Sequence, residues 1–479
     1  MPDQRLNYVD GEWTDSHTGE TFETTDPATP GEVVATYPQS DAEDTERAIE
    51  AARDASEEWR ETPAPERGRI LRQAGATLER RRDELTELLV REEGKTRTEA
   101  GGEVQRAIDI FHYYGAKASD LGGTVKSSSA RDVNLYTTNE PLGVVGLITP
   151  WNYPIAIPAW KLAPALATGN AVVIKPATLA PGVVHEMARA LEEAGLPAGA
   201  LNVVTGPGSA VGDTLAGHEA VDAVSFTGST AVGNTVYDTA TADGKRVQLE
   251  MGGKNPTVVS RTADPEEAAD IVAAGAFGVT GQACTATSRA VVHEDVYDEF
   301  VDAIVDRAAS IDHGHGLDDP GMGPHVSESE LESTLEYVDV AQGEGATLEY
   351  GGSALDREGH FVEPAVFSDV DSEMRLAQEE VFGPVLAVIP VSDFDEALAV
   401  ANDVDYGLAA SVVTDDHTEA NRFVREIEAG VVKINQKTTG LELHVPFGGV
   451  KDSSSETYRE QGDAALDFYT ISKTVYDTY

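Results

Sequence analysis

One cysteine, Cys284, is the residue of this sequence best suited to act as a nucleophile. It lies in a run of small residues, GVTGQACTATSR at 278–289, where a substrate and a cofactor can approach the backbone closely. A thiol attacks as the thiolate, so a base or oriented dipoles must be near it to remove the proton. A lone cysteine is more often a small buried hydrophobic residue, and its neighbours must decide between the two roles.

The carboxylate of Glu250 is a candidate general base. It follows an apolar run and sits in LEMGGKNP at 249–256, between Leu249 and Met251. A carboxylate in such surroundings is costly to ionise, so we expect its pKa to rise towards the range that suits a general base. The alternative is an ordinary ion pair between Glu250 and Lys254.

Short apolar runs alternate with amphipathic stretches, and the runs of the first series below end in Gly, Pro or Thr. This pattern predicts where the thiol and the carboxylate are held. Such βα alternation is typical of a parallel sheet that is buried on both faces and binds ligands at the carboxyl ends of its strands. Two series of runs are present: first 143–149, 170–176, 201–206, 223–228 and 247–253, then 256–260, 289–294, 384–391, 408–414 and 431–435. Helical periodicity is found at 42–60, 70–92 and 103–117, and a polar segment at 122–132 predicts a short hairpin or a linker.

The charge of the chain excludes several classes of function. Its 479 residues carry 35 Lys and Arg against 84 Asp and Glu, a net charge of −49. Such a field repels nucleic acid and anionic membranes. No apolar run is long enough to cross a membrane and no targeting segment is apparent, so a cytoplasmic location is expected. The evenly spread acids and the small number of lysines predict solubility in concentrated salt; an ordinary acidic protein is the alternative.

Seven motifs, in order and in register, resemble those of the aldehyde dehydrogenase superfamily and together cover nearly the whole chain. They are PWNYP at 150–154, KPA at 175–177, FTGSTAVG at 226–233, LEMGGKNP at 249–256, GQACTATSR at 281–289, EEVFGPV at 379–385 and PFGGVKDSS at 446–454. The resemblance implies an α/β fold with three parts. These are a Rossmann-like dinucleotide-binding domain at 1–120 and 142–250, a catalytic domain at 251–445, and a small β oligomerisation element at 121–141 and 446–479.

The resemblance also implies a reaction, with no metal. Cys284 attacks an aldehyde to give a thiohemiacetal, a hydride passes to a nicotinamide, and Glu250 deprotonates the water that hydrolyses the remaining thioester. Asn152 corresponds to the oxyanion donor, together with the backbone N–H of Cys284. On its own, Asn152 would be read as an ordinary turn residue before Tyr-Pro.

For the cofactor, the resemblance implies that Lys175 binds the adenosine ribose and that Glu380 and Phe382 hold the nicotinamide ribose. Many NAD-using relatives carry Glu three residues after this Lys, where the chain has Thr178; the loss of that carboxylate favours NADP, with NAD possible. The other expected cofactor residues are Thr149, Pro150, Trp151, Gly208, Gly212, Phe226, Gly228 and Ser229, of which Gly208 and Gly212 could equally serve helix packing.

For the substrate, the resemblance implies an aldehyde pocket that includes Tyr153 and an apolar wall at Trp160. Lys437 and His444 are the nearest candidate cations for a substrate carboxylate; they could equally be a surface lysine and a satisfied histidine. The segment 437–462 resembles the branch of the superfamily that oxidises 2,5-dioxopentanoate, which favours a carboxylate-bearing aldehyde as the substrate.

Several alternatives stay open from the sequence. Succinate semialdehyde or another small aldehyde is an alternative substrate, and a CoA-acylating relative is an alternative enzyme, although such relatives typically lack the Glu at position 250. A silent structural relative and a pure nucleotide-binding module are disfavoured because Cys284, Glu250 and Asn152 are all present. Superfamily members share hairpins between subunits, so a homodimer or homotetramer is expected.

Overall fold

The computed structural model describes residues 3–455 and 457–479, so positions 1, 2 and 456 of the predicted domain ranges lie outside it. The helices of the described residues follow the predicted periodic stretches. The predicted stretch 70–92 divides into two helices at Arg81. The helices are α1 Ala42–Glu61, α2 Ala64–Arg80, α3 Arg82–Glu93, α4 Arg97–Lys117, α5 Ala156–Thr168, α6 Gly182–Glu193, α7 Asp213–Gly217, α8 Thr230–Ala242, α9 Pro265–Ala276, α10 Tyr297–Ala309, α11 Glu328–Glu344, α12 Arg375–Gln378, α13 Phe394–Asn402, α14 His417–Glu426 and α15 Ala464–Phe468.

The strands confirm both series of apolar runs and add short strands at the amino end of the chain. They are β1 Asp3–Gln4, β2 Asn7–Val9, β3 Glu12–Thr14, β4 Thr21–Asp26, β5 Thr29–Pro38, β6 Val125–Lys126, β7 Val133–Pro141, β8 Val144–Ile148, β9 Ala171–Lys175, β10 Leu201–Val203, β11 Ala223–Thr227, β12 Arg246–Glu250, β13 Asn255–Val259, β14 Thr287–His293, β15 Thr347–Tyr350, β16 Ala365–Ser368, β17 Val385–Val391, β18 Tyr406–Gly407, β19 Ala409–Val413, β20 Val431–Ile434, β21 Val450–Lys451 and β22 Thr470–Thr478.

The first large sheet has the strand order β12-β11-β8-β9-β10-β2-β3. Its first five strands are parallel, and the hairpin β2-β3 is added antiparallel at the far edge. Parallel strands end on one edge of a sheet, so the residues that follow β8, β9, β11 and β12 are brought together there. This edge therefore collects Thr149, Lys175, Gly228 and Glu250.

The second large sheet has the order β15-β16-β17-β14-β13-β19-β20 and is parallel except for the pair β15-β16. The predicted boundary at 250 falls between β12, the last strand of the first sheet, and β13, in the middle of the second. The segment 277–286 connects α9 to β14 and carries Cys284, which is only partly exposed.

The remaining strands form a small sheet in which β7 pairs with β22 along nine residues and with β6 at its other edge. Residues that precede β22 in the chain make other contacts: Phe447 pairs with Glu460, and Ser454 bridges to Glu250. Among the described residues, no helix is long and apolar enough to cross a membrane.

Candidate active site

The loop before Cys284 is held in a strained conformation. Val279 and Thr280 have φ angles of 53° and 54°, a left-handed region that β-branched residues rarely adopt. The backbone N–H of Val279 donates to Glu99 Oε1 at 2.6 Å, and the hydroxyl of Thr280 donates to the carbonyl of Gly323 at 3.1 Å. Strain of this kind persists only where the surroundings impose it, and it is common at active sites.

The surroundings of Cys284 favour the neutral thiol over the thiolate. Burial raises its pKa, and the negative charges of Glu380 and Glu250 raise it further, against a small opposing effect of the Thr285 backbone N–H. The loop itself is fixed, because the amide of Asn255 donates to the Cys284 carbonyl at 2.8 Å. Attack on an aldehyde therefore requires a base, or a rearrangement of the neighbouring charges, to remove the proton.

Cys284 lies where two cavities meet. The smaller cavity has a volume of about 210 Å³ and the larger about 400 Å³, and Cys284 lines both of them. The smaller is lined by Pro150, Trp151, Asn152, Thr227, Gly228, Ser229, Met251, Gly252, Glu330, Glu380 and Phe382. Most of these residues were predicted from the sequence to bind the cofactor. The thiol therefore lies between the expected cofactor site and the larger cavity.

Glu250 ends β12 and is buried, with 2% of its surface exposed. Its carboxylate accepts hydrogen bonds of 3.2 Å from the backbone N–H of Gly449 and from the hydroxyl of Ser454. Burial raises its pKa well above the ordinary value, the charge of Glu460 adds to this, and Lys161 opposes it. The direction is the predicted one. The alternative ion pair is absent, since no Lys254 nitrogen lies within 4 Å of this carboxylate.

A buried polar cluster lies behind Glu250 and was not predicted. The carboxylate of Glu460 accepts a 2.7 Å hydrogen bond from the indole N–H of Trp160 and forms an ion pair with Lys161. Lys161 also donates to Ser225 on β11 at 2.7 Å. Trp160 does line the larger cavity as predicted, but it is more than an apolar wall, because its N–H anchors Glu460.

Asn152 lies beside the thiol loop and is 3% exposed. Its side-chain amide donates a 3.0 Å hydrogen bond to the Gln282 backbone carbonyl. Its backbone carbonyl accepts a 2.8 Å hydrogen bond from the ammonium group of Lys95. Lys95 is paired at 2.6 Å with Glu103, whose other oxygen accepts the first N–H groups of α5. This buried pair fixes the backbone around Asn152, and the sequence carried no recognisable signal for it.

The adenosine side of the expected cofactor site centres on Lys175. Its ammonium group is buried, and among the described residues its one hydrogen bond goes to the Pro176 carbonyl at 3.1 Å. Burial lowers the pKa of Lys175 to about 8. A Cβ on Gly212 would lie 3.9 Å from the Lys175 side chain, so the two predicted residues are neighbours, whereas Gly208 is exposed with open space around it. Thr178 is half-buried.

The phosphate side of this site has hydrogen-bonding groups without partners. Helix α8 begins after Ser229, and no side chain caps its first N–H groups. Within residues 3–455 and 457–479, the buried hydroxyls of Thr149 and Thr227 lack any hydrogen-bond partner. A helix N-terminus and unpaired donors are suited to a pyrophosphate, so the residues present fit a dinucleotide. Phe226 is buried on β11, with its ring against Gly228.

Glu380 and Phe382 complete the smaller cavity. Glu380 accepts a 3.0 Å hydrogen bond from the Gly253 N–H, and a Cβ on Gly252 would displace its carboxylate. Burial raises the pKa of Glu380 to about 7. Phe382 has a φ of 58° and meets the ring of Trp151 edge-on, at 5.4 Å between centroids. These contacts fix the orientation of the side chains that line the smaller cavity.

The larger cavity receives only some of the predicted substrate residues. Tyr153, Trp160 and Lys437 line it. His444 does not; its side chain is 58% exposed, and the carboxylate of Glu442 lies 3.8 Å away. The structure adds other lining residues, which are Glu99, Gly102, Glu103, Arg106, Ala156, Ile157, Ala274, Gly278, Val279, Thr285, Thr439, Gly440, Leu441 and Phe447.

The comparisons with known proteins show the family of this chain. The model of the aldehyde dehydrogenase family matches residues 13–475. The chain belongs to the aldehyde dehydrogenase family. This confirms the superfamily prediction and the α/β fold class, and it makes the protein an enzyme.

Individual relatives of this aldehyde dehydrogenase cover it over almost its whole length. It is 69% identical to alpha-ketoglutarate semialdehyde dehydrogenase of Haloferax volcanii, over 100% of both chains. It is 45% identical to 2,5-dioxopentanoate dehydrogenase of Saccharolobus solfataricus, over 96% of both. Among solved structures, an NAD-dependent aldehyde dehydrogenase from Sinorhizobium meliloti superposes with a TM-score of 0.97 at 35% identity, covering 99% of this chain and 95% of the other.

Proposed function

We propose that this aldehyde dehydrogenase oxidises 2,5-dioxopentanoate to 2-oxoglutarate with NADP as the preferred acceptor, through a thioester on Cys284 that water hydrolyses. The observation that carries the proposal is the position of Cys284 at the junction of the two cavities. A nucleophile there can meet an aldehyde from one side and a nicotinamide from the other. The names of the Haloferax and Saccharolobus relatives support the choice of aldehyde.

The residues around Cys284 have separate roles in the proposed reaction. The thiolate attacks the aldehyde carbon and forms a thiohemiacetal, while the amide of Asn152 and the Cys284 N–H donate to the developing oxyanion. The nicotinamide, when bound, accepts the hydride that leaves this carbon. Glu250 then takes a proton from the water that attacks the thioester, and the thiol is released as the carboxylate product leaves.

The preference for NADP rests on the charge balance near Lys175. A buried ammonium group whose pKa falls to about 8 gains most from an anionic partner. The chain has Thr178 where many NAD-using relatives have a carboxylate, so no negative side chain at that position would repel a 2′-phosphate. The hydroxyl of Thr178 can donate to the phosphate instead.

One experiment separates this proposal from its alternatives. Purified enzyme is incubated with NADP or NAD and with 2,5-dioxopentanoate, succinate semialdehyde, butanal or pentanal, each with and without CoA. We expect the highest kcat/KM for 2,5-dioxopentanoate with NADP and no dependence on CoA. A rate that requires CoA would assign the enzyme to the acylating class, and equal use of pentanal would refute the proposed substrate.

We also propose that the enzyme assembles as a homodimer or homotetramer through the sheet β6-β7-β22. Ile471 and Tyr476 expose large apolar side chains on its last strand, and Tyr479, also exposed, follows that strand. Light scattering on the eluted protein in molar KCl should give a mass of two or four chains. A monomer would refute the proposal.

A further inference from the structure

Arg106 places a guanidinium group in the wall of the larger cavity. It lies on α4, one turn after Gly102, and is half-buried. One of its nitrogens donates to the side-chain oxygen of Gln461 at 2.9 Å. Within residues 3–455 and 457–479, this is its one hydrogen bond, and no carboxylate lies within 4 Å of it. Most of its donors are therefore open to a ligand.

The acidic residues of the same cavity are already occupied. Glu99 accepts hydrogen bonds from the backbone N–H groups of Thr96 and Val279. Glu103 accepts from Lys95 and from the first N–H groups of α5. These carboxylates are held by the protein itself, so the charged groups of the cavity that can still bind a ligand are cationic.

Arg106 is half-buried and is not paired with any described carboxylate, although the chain has a net charge of −49. Burial lowers the pKa of Arg106, and the charge of Glu442 offsets this only in part. A partly desolvated cation without an anionic partner is costly, and an anion that enters the cavity offsets part of that cost. The position of Arg106 therefore suits an anionic end of the ligand.

Lys437 is the second cationic residue that lines this cavity. Lys437 and Arg106 differ in how firmly the protein holds their side chains. The Lys437 side chain is exposed and has no hydrogen bond to any described residue. Arg106 is anchored by Gln461, which is 1% exposed, and a guanidinium group offers two parallel N–H groups to a carboxylate. Less side-chain freedom is lost when Arg106 binds.

We propose that Arg106 receives the distal carboxylate of the semialdehyde and thereby determines the specificity of the enzyme for acidic over neutral aldehydes. This inference rests on the proposed function, because it assumes a substrate that carries a carboxylate. It places the aldehyde at Cys284 and the opposite end of the substrate at α4, with Lys437 contributing a screened, longer-range attraction.

The test is the ratio of kcat/KM for 2,5-dioxopentanoate to kcat/KM for pentanal, measured in molar KCl. Arg106→Gln keeps a donor for Gln461 and removes the charge, and it should lower the ratio about tenfold or more. Arg106→Lys keeps the charge but loses the planar fork, and it should lower the ratio less. Arg97→Gln is the matched control on the same helix, because Arg97 donates to the Leu317 carbonyl outside the cavity; it should leave the ratio unchanged.

The outcomes distinguish the inference from the proposed function. A wild-type ratio near one would refute the proposed substrate, and the inference with it. A wild-type preference that survives in Arg106→Gln would refute the inference alone. Thermal melting checks that each variant is folded, and if Arg106→Gln does not fold, a ratio in Arg106→Lys equal to that of the wild type would refute the role of Arg106.

Discussion

The side-chain amide of Asn152 donates a 3.0 Å hydrogen bond to the backbone carbonyl of Gln282, two residues before the thiol. The candidate oxyanion donor is thus tied to the loop that carries the nucleophile. Gln282 is fixed in turn, because its side-chain oxygen accepts from His325 at 3.1 Å and from the Val326 N–H at 3.0 Å. Donor and nucleophile are therefore held relative to each other before a substrate arrives.

Asn152→Ala should reduce kcat far more than it changes KM. Removing one oxyanion donor costs roughly 3 kcal/mol in the transition state, which corresponds to a loss of about 100-fold or more in kcat. Steady-state kinetics on the preferred aldehyde measure this. Asn421→Ala is the control, since the exposed Asn421 donates a similar bond of 2.7 Å to the His417 carbonyl on α14. A kcat within threefold of wild type would remove Asn152 from the oxyanion site.

Glu460→Gln should move the acidic limb of the deacylation rate to lower pH. The active form of Glu250 is the carboxylate, so the rate is lost as the pH falls through the pKa of Glu250, which burial and then Glu460 raise. Without the charge of Glu460 this pKa falls, and the carboxylate persists to a lower pH. Single-turnover deacylation as a function of pH measures the shift; Glu140→Gln, at a surface ion pair, is the control. An acidic limb that stays at the same pH or moves to higher pH would contradict the electrostatic coupling between Glu460 and Glu250.

Thr178→Glu should shift the cofactor preference from NADP towards NAD. The new carboxylate would repel a 2′-phosphate, with an effect of roughly 1 to 3 kcal/mol for one poorly screened charge. The ratio of kcat/KM for the two cofactors is the measurement. Thr239→Glu adds the same charge on the exposed face of α8 and should leave the ratio unchanged. If the wild type already prefers NAD tenfold, the role assigned to Thr178 is wrong.

Salt should stabilise the fold strongly. The 84 acidic residues outnumber the cations by 49, and their mutual repulsion is screened within about 3 Å at 1 M salt but over about 30 Å at 0.01 M. The melting temperature, Tm, should therefore rise markedly from low to molar KCl. Sucrose at equal osmolality is the control for excluded-solute effects. A Tm that does not respond to KCl would contradict adaptation to salt.

The strands that position the site were predictable, because each is a short apolar run closed by Gly, Pro or Thr. The strands at the amino end were not. β4 reads TFETTD and is largely exposed, so it lacks the apolar run on which the prediction depends. The periodic stretch 70–92 showed a helical face but gave no sign of the break at Arg81.

Candidate residues of the site could be named from the sequence only where a motif is local. Cys284, Glu250 and Asn152 each lie within a short motif, whereas Glu460 meets Trp160 across 300 residues and has no local signature. Arg106 also lies outside any motif, and the sequence does not distinguish it from the other charged residues of the predicted helices. His444 follows the cavity-lining loop in the sequence, but its side chain points to solvent, which proximity along the chain could not reveal.

The most direct test of the account is to trap the thioester in Glu250→Gln. This variant is mixed with NADP and 2,5-dioxopentanoate, and its intact mass and its peptides are measured. Because hydrolysis is slowed by roughly 100-fold or more without the base, one acyl group should accumulate per chain, on the peptide that contains Cys284, after a burst of NADPH. A variant that turns over normally, or that acquires no acyl group on Cys284, would contradict the mechanism.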